Sequence, residues 1–171
     1  MPVAGELILG IWDGHDSGAA LVQGEEILAA INEERLTRRK LEVGFPVRSI
    51  QACLTLAGKT PADVSIVAAS TTDFAKTLTR VFPHLKEEYY KIRRKKIYPG
   101  PLSSFKKRLK YRITEWPPSS PTRFISRICL HRELKKLGLG RSRLEILDHH
   151  TAHASAAVFC SGFSDCLGLT I

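Results

Sequence analysis

Three histidines fall within five residues in the stretch Asp148-His149-His150-Thr151-Ala152-His153. An imidazole nitrogen can hold a divalent metal such as zinc or iron, and it can take a proton near neutral pH. The apolar residues before the stretch, Leu144, Ile146 and Leu147, read as a buried strand, and the Ala-rich residues after it read as a helix. Asp148 is the expected N-cap, because its carboxylate can accept from the open N–H groups of the first turn. His149 and His153 would then share one helix face, four residues apart, so that two ring nitrogens reach one ion at about 2.0–2.1 Å. His150 and His153, three apart, form the competing pair. Two histidines do not close a metal site, so a carboxylate or another ligand is expected from elsewhere. The plainer alternative is that the histidines only occupy the exposed start of a helix. Their place just after a strand favours ligand binding, since α/β folds take ligands at the carboxyl ends of strands.

A second polar cluster, Asp13-Gly14-His15-Asp16-Ser17-Gly18, follows the apolar run 6–12. Its glycines can adopt positive φ or let a ligand approach the backbone closely. His15 and Asp16 are the candidate catalytic residues, His15 as a base or to position an acceptor. Its alternative role is to stabilise the turn through Asp16.

The elements that must position these clusters follow from the apolar pattern. Residues 6–12, 19–22 and 26–32 read as three successive strands, turning at 13–18 and at Gly24-Glu25: a β-meander. A charged stretch, 33–40, leaves the sheet. Phe45-Pro46 leads into an amphipathic helix with Ile50, Cys53, Leu54 and Ala57 on one face. A turn at 60–63 precedes a strand over 64–70. Residues 74–122, with prolines at 83, 99, 101, 117, 118 and 121, read as a basic, partly helical insertion at the rim. A helix over 124–137 is expected to bury Ile125, Ile128, Cys129 and Leu134 and to end at Gly138. The strand 144–147, the helix 149–160 and one more strand over 165–171 complete the order. That last apolar run has nothing to cover it, so the sequence is expected to be part of something longer.

The bulk properties fit an ordinary globular α/β protein: 171 residues, 43% hydrophobic and 25% charged. No apolar run is long enough to span a bilayer, and residues 1–6 do not resemble a signal peptide, so a cytoplasmic location and no membrane partner are expected. Cys53, Cys129, Cys160 and Cys166 form no Cys-x-x-Cys pair, which argues against a zinc ribbon. The net charge of +9 is local. Residues 86–112 hold eleven Lys or Arg against two Glu, while the rest of the chain balances at fifteen of each sign.

Together these pieces resemble the N-terminal region of the NodU/CmcH-type carbamoyltransferases. The resemblance rests on Ile8-Leu9-Gly10-Ile11 with Gly14-His15-Asp16-Ser17-Gly18-Ala19-Ala20-Leu21-Val22. It continues through Asn32-Glu33-Glu34-Arg35-Leu36-Thr37-Arg38-Arg39-Lys40 and Phe45-Pro46, and ends with His149-His150-Thr151-Ala152-His153-Ala154. It covers 6–70 and 143–171 well and the basic middle poorly. It implies the first lobe of an actin-like (sugar kinase/Hsp70-type) fold, related to the tRNA threonylcarbamoyl transferases. By that likeness Asp13, Gly14, Ser17 and Gly18 belong to a phosphate-facing loop. His149 and His153 would hold iron or zinc, a choice the residues do not make. Arg38, Arg39 and Lys40 could bind phosphate or the anionic donor, since Arg pairs bidentately with phosphate oxygens; such a charge run can equally be a solvated face. The resemblance also implies a donor, carbamoyl phosphate, activated with ATP to carbamoyl-adenylate in a separate domain, and transfer to a hydroxyl of a small metabolite. An Asp-Gly-rich loop and the adenylate-forming domain of that family lie beyond residue 171. The isolated 171-residue piece is therefore expected to be inactive.

Two other readings compete. Tyr89, Tyr90, Tyr98, Phe105 and Tyr111 interleave with the basic residues of 86–112, a pattern suited to RNA, as in a threonylcarbamoyl transferase-like or RNA-binding protein. The chain could also be a truncated remnant without chemistry.

Overall fold

The computed structural model describes residues 5–70, 74–93 and 119–169. Strand β1 (Leu7–Trp12) buries every second residue, and Leu7, Leu9 and Ile11 face the core. Strand β2 (Gly18–Gln23) pairs antiparallel to β1, and β3 (Glu26–Asn32) pairs antiparallel to β2. Gln23 pairs with Glu26, leaving Gly24-Glu25 as a two-residue hairpin loop, and Gly24 takes the positive φ of 60° that such a tight turn needs. The expected meander is present.

The chain then leaves the sheet through a short helix α1 (Glu33–Thr37) and the amphipathic helix α2 (Val47–Leu56). Pro46, which precedes α2, offers no side-chain cap. The carboxylate of Glu33 does that work from a distance: Oε1 accepts from the Arg48 N–H (3.1 Å), and Oε2 from the N–H and hydroxyl of Ser49 (both 2.7 Å). Ile50, Cys53 and Leu54 of α2 pack over β2 and β3.

A 3-10 turn (Pro61–Asp63) delivers β4 (Val64–Ser70), which pairs parallel to β1. Helices α3 (Phe74–Val81) and α4 (His84–Arg93) follow, and then the long helix α5 (Ser120–Lys136). Strand β5 (Arg143–Leu147) pairs parallel to β4, and α6 (His149–Phe159) closes the order. The sheet runs β3-β2-β1-β4-β5. One apolar cluster joins β1, β2, β4 and β5 to α2 and to Leu130 and Leu134 of α5. The result is a mixed α/β architecture, as expected.

Three expectations need correction. Helix α5 begins at Ser120, not Phe124. Ser119 and Thr122 form a reciprocal capping box, and Pro121 sits in the first turn, where its missing N–H costs nothing. The same helix buries Thr122, Ser126, Leu130 and Leu134, while Ile125 and Ile128 are exposed, so only Leu134 of the expected stripe faces the core. The face is chosen by α3, whose Thr77 hydroxyl meets Ser126 Oγ at 2.8 Å in the buried contact. Finally, residues 165–169 form no strand. A strand needs a partner for its N–H and C=O groups, and among the described residues none pairs with this run. Leu167 and Leu169 are 96% and 82% exposed.

Candidate functional site at the carboxyl edge of the sheet

Strands β1, β4 and β5 are parallel, so their carboxyl ends share one edge. Register makes this specific: Ile11 pairs with Ala69 and Ala69 with Ile146. One residue further on lie Trp12, Ser70 and Leu147. The next residues on β1 and β5 are Asp13 and Asp148, and both candidate clusters therefore start at the same edge.

His149 and His153 lie side by side in the first two turns of α6. Asp148 Oδ1 accepts from the Thr151 N–H at 3.0 Å and from its hydroxyl at 3.3 Å, capping α6. The Thr151 hydrogen bonds hold the Asp148 carboxyl below its ordinary pKa. His149 Nε2 and His153 Nε2 face each other at 3.2 Å. Two nitrogens bound to one tetrahedral ion at about 2.0–2.1 Å would sit roughly 3.3–3.4 Å apart, so the pair fits a shared ion. Among the described residues no group of three or more His, Cys, Asp or Glu forms around it. The expected further ligand is therefore not supplied by these residues.

Trp12 connects the histidine pair to the first loop. Its ring stacks on His149 with centroids 5.3 Å apart and planes at 23°. Its Nε1–H donates to the His15 carbonyl at 2.6 Å, and the His15 ring lies edge-on to it at 6.0 Å. Gly14 makes room for the ring: a Cβ there would fall 2.2 Å from Trp12 Cζ2. Lys76 places its ammonium 4.4 Å from the centre of a Trp12 ring.

The loop itself is held from behind. Gly44 and Ser17 donate their N–H groups to Gly14 O and Glu42 O, both at 3.2 Å, and Ser17 O accepts from Glu33 N–H at 2.8 Å. Ser17 is buried, and among the described residues its hydroxyl meets no partner. Gly18 is required by the sheet, since a Cβ there would lie 2.8 Å from Ile31 O. His15 Nδ1 lies 3.0 Å from Asp16 Oδ2, with the imidazole half exposed and Asp16 in a left-handed conformation at φ 54°.

Asp13 is engaged by cations that the sequence reading placed in a rim insertion. It is 2% exposed. Arg80 binds it through Nε (2.9 Å to Oδ2) and Nη2 (3.0 Å to Oδ1), Lys76 Nζ lies 3.0 Å from Oδ1, and Lys86 Nζ 3.7 Å from Oδ2. Burial acts to raise the Asp13 pKa, but the charges of Lys76 and Arg80, the Arg80 hydrogen bond and the charge of Lys86 outweigh it. The carboxyl stays ionised well below the usual carboxylate range. Burial pushes the Lys76 ammonium down to about 8 despite the attraction of Asp13. Lys76 and Arg80 stand four apart on α3, about one helical turn, so both reach the same carboxylate.

Of the remaining candidates, Arg39 is already engaged. Its Nη2 donates to Glu87 Oε2 at 2.9 Å, its Nε lies 3.5 Å from Glu42 Oε2, and its guanidinium sits 4.2 Å from the Tyr90 ring centre. Arg38 and Lys40 are exposed. Tyr90, expected among nucleic-acid contacts, is buried against Arg39. Tyr98, Phe105 and Tyr111 lie outside the described residues. Among the described residues, no helix is long and apolar enough to cross a membrane.

Comparison with known proteins identifies the family. A Synechocystis protein, uncharacterized protein sll1178, is 31% identical over 155 residues, covering 88% of this chain and 22% of its own length. The nodulation protein NolNO of Sinorhizobium fredii is 28% identical over 157 residues, 92% of this chain and 19% of NolNO. Uncharacterized protein MJ1051 of Methanocaldococcus jannaschii matches at 48% over 48 residues, 28% of this chain and 9% of that protein. The chain thus spans about a fifth or less of each relative. The profile of the carbamoyltransferase N-terminus family matches residues 7–170, nearly the whole chain. The chain belongs to the carbamoyltransferase N-terminal family.

Proposed function

We propose that this chain supplies the first half of an O-carbamoyl transfer centre, moving a carbamoyl group from carbamoyl-adenylate to a hydroxyl of a small metabolite. The observation that carries the reading is the meeting of the first loop and the His149–His153 pair through Trp12, at one sheet edge. The sheet order, with β2 antiparallel between β1 and β3, supports the actin-like assignment.

In this reading the two Nε2 atoms would hold a divalent metal, zinc or iron, together with ligands from outside the described residues. The metal would supply Lewis-acid polarisation of the donor's oxygens. His15 is the base. Its Nδ1 faces Asp16, which leaves Nε2 to take the acceptor's hydroxyl proton. The acceptor oxygen forms its bond to the carbamoyl carbon as the bond to the adenylate phosphate oxygen breaks, and AMP leaves. Gly14 and the exposed Arg38 and Lys40 offer contacts to the adenylate phosphate; Asp13 acts behind the loop, through the cations it gathers.

The test is metal content together with transfer. The purified protein should bind one Zn²⁺ or Fe²⁺ per chain, and a His149→Ala/His153→Ala variant with unchanged circular dichroism should bind none. With carbamoyl phosphate, ATP and the whole protein, labelled carbamoyl should appear on a hydroxylated acceptor, and His15→Ala should slow that transfer about 10²-fold or more. A wild-type protein that takes up neither metal would sink the assignment of the histidine pair.

A further inference from the structure

The contacts of Trp12 assign it a role that no sequence spacing announces. We infer that Trp12 is a positioning residue for His149, setting the orientation of that imidazole and hence the capacity of the His149–His153 pair to share an ion. The inference rests on the metal reading above for its consequence, but the contact itself is independent of any metal.

Three constraints converge on the indole. Its Nε1–H is spent on the His15 carbonyl at 2.6 Å, which fixes the ring's rotation. Gly14 leaves the space the ring fills, since any Cβ there would overlap Cζ2 at 2.2 Å. Lys76, itself held 3.0 Å from Asp13, lies 4.4 Å from a Trp12 ring centre. A ring gripped in this way is a rigid surface, and His149 lies nearly parallel to it, at 23° and 5.3 Å. His149 then meets His153 edge to face at 81°, with Nε2 atoms 3.2 Å apart.

Without such a surface, a histidine in the first turn of a helix can sample several χ1 and χ2 settings. Only some of those point Nε2 toward His153. Groups that orient a metal-binding histidine through its second contact are worth roughly 10–100-fold in metal affinity. Here one orienting contact is a stacked ring. It ties the ligand pair to the first loop, so that a displacement of Gly14 or His15 is passed to His149.

The experiment uses Co²⁺ as the probe, titrated into the purified protein by calorimetry and by its visible absorption. Trp12→Phe keeps a stacking ring but loses the hydrogen bond to the His15 carbonyl, so it should bind more tightly than Trp12→Ala and no more tightly than wild type. Trp12→Ala and Gly14→Ala should weaken binding about tenfold or more and shift the visible bands. A folded Trp12→Ala that binds as wild type, with the same bands, overturns the inference. If Trp12→Ala does not fold, Gly14→Ala decides in its place. Imidazole NMR of the metal-free protein gives a second readout. The His149 ring protons should show an upfield ring-current shift that Trp12→Ala, or Gly14→Ala where that variant is unfolded, removes. If wild type binds no Co²⁺, the metal reading fails, and this shift alone then supports the Trp12 contact by its presence or overturns it by its absence.

Discussion

Arg80 grips Asp13 at two points, Nε to Oδ2 at 2.9 Å and Nη2 to Oδ1 at 3.0 Å, across 67 residues of chain. This fork anchors α3 to the carboxyl end of β1. Arg80 also donates to Ser70 O at 3.2 Å, so one guanidinium ties together the ends of two adjacent parallel strands. The first loop therefore leaves the sheet from a fixed point.

Removing that carboxylate should be costly. Asp13→Asn takes the shared anion from Lys76, Arg80 and Lys86, and a broken buried ion pair typically costs about 3–5 kcal/mol. Adding Lys76→Met to Asp13→Asn should recover part of the loss, because one buried cation fewer needs an anion. Urea unfolding of the two variants measures both effects. A loss below about 1 kcal/mol for Asp13→Asn would mean that the cluster is not a keystone of this edge. The folded pKa of Asp13 is lowered, so its contribution is complete above the ordinary value of 3.8 and is lost as pH falls through the folded value.

Lys76 has the opposite pH signature. Its ammonium titrates near 8 in the folded chain and near 10.5 when unfolded, so between those values the unfolded chain holds more protons. Stability should rise with pH across that window. Lys76→Met should flatten the rise, leaving the smaller part due to Lys86, whose pKa burial also lowers. Denaturation midpoints at several pH values between 8 and 10.5 check this. Equal slopes in wild type and variant would show that Lys76 does not titrate there.

Glu33 should matter more than its place in a charged stretch suggests. Glu33→Ala removes three hydrogen bonds from the start of α2 and leaves the buried Ser49 N–H and hydroxyl without them. A loss of about 2–3 kcal/mol is expected, at the level of hydrogen bonds to a charged group. Glu33→Gln should retain part of it. Thermal unfolding distinguishes the two, and indifference to Glu33→Ala would remove the capping role.

The buried face of α5 can be read out directly. Leu130→Ala and Leu134→Ala should each cost about 2–5 kcal/mol, as large-to-small changes in a core do. Ile125→Ala and Ile128→Ala, on the exposed face, should stay within roughly 1 kcal/mol. Comparable losses at Ile128 and Leu130 would contradict the observed helix rotation.

The strands and α2 were legible because their signal is local. The apolar density of residues 6–12, the Gly24-Glu25 turn, the 3.6-residue period of Ile50, Cys53 and Leu54, and the Asp148 cap each lie within a few residues. Helix α5 was legible in existence but not in rotation. Its sequence carries apolar residues on more than one face, and the choice is made by Thr77 and Ser126, which belong to different helices. The histidine pair was visible from its spacing, whereas its link to the first loop was not. Trp12 and His149 stand at the ends of strands separated by β4, and only strand register makes them neighbours. The cations on Asp13 were hidden for a related reason: Lys76, Arg80 and Lys86 look like surface charge until the fold turns them inward.

The cap at Asp148 works as a ruler. Leu147 ends β5, Asp148 is the cap and His149 begins α6, so the phase of the helix is set by the last paired residue of the strand, Leu147 opposite Ser70. Each residue advances an α-helix by about 100° and 1.5 Å. A single insertion or deletion between Leu147 and His149 would swing the imidazoles about a quarter turn away from Trp12 with every side chain still in the sequence. Length at this junction is thus as much a determinant of the site as the identity of its histidines.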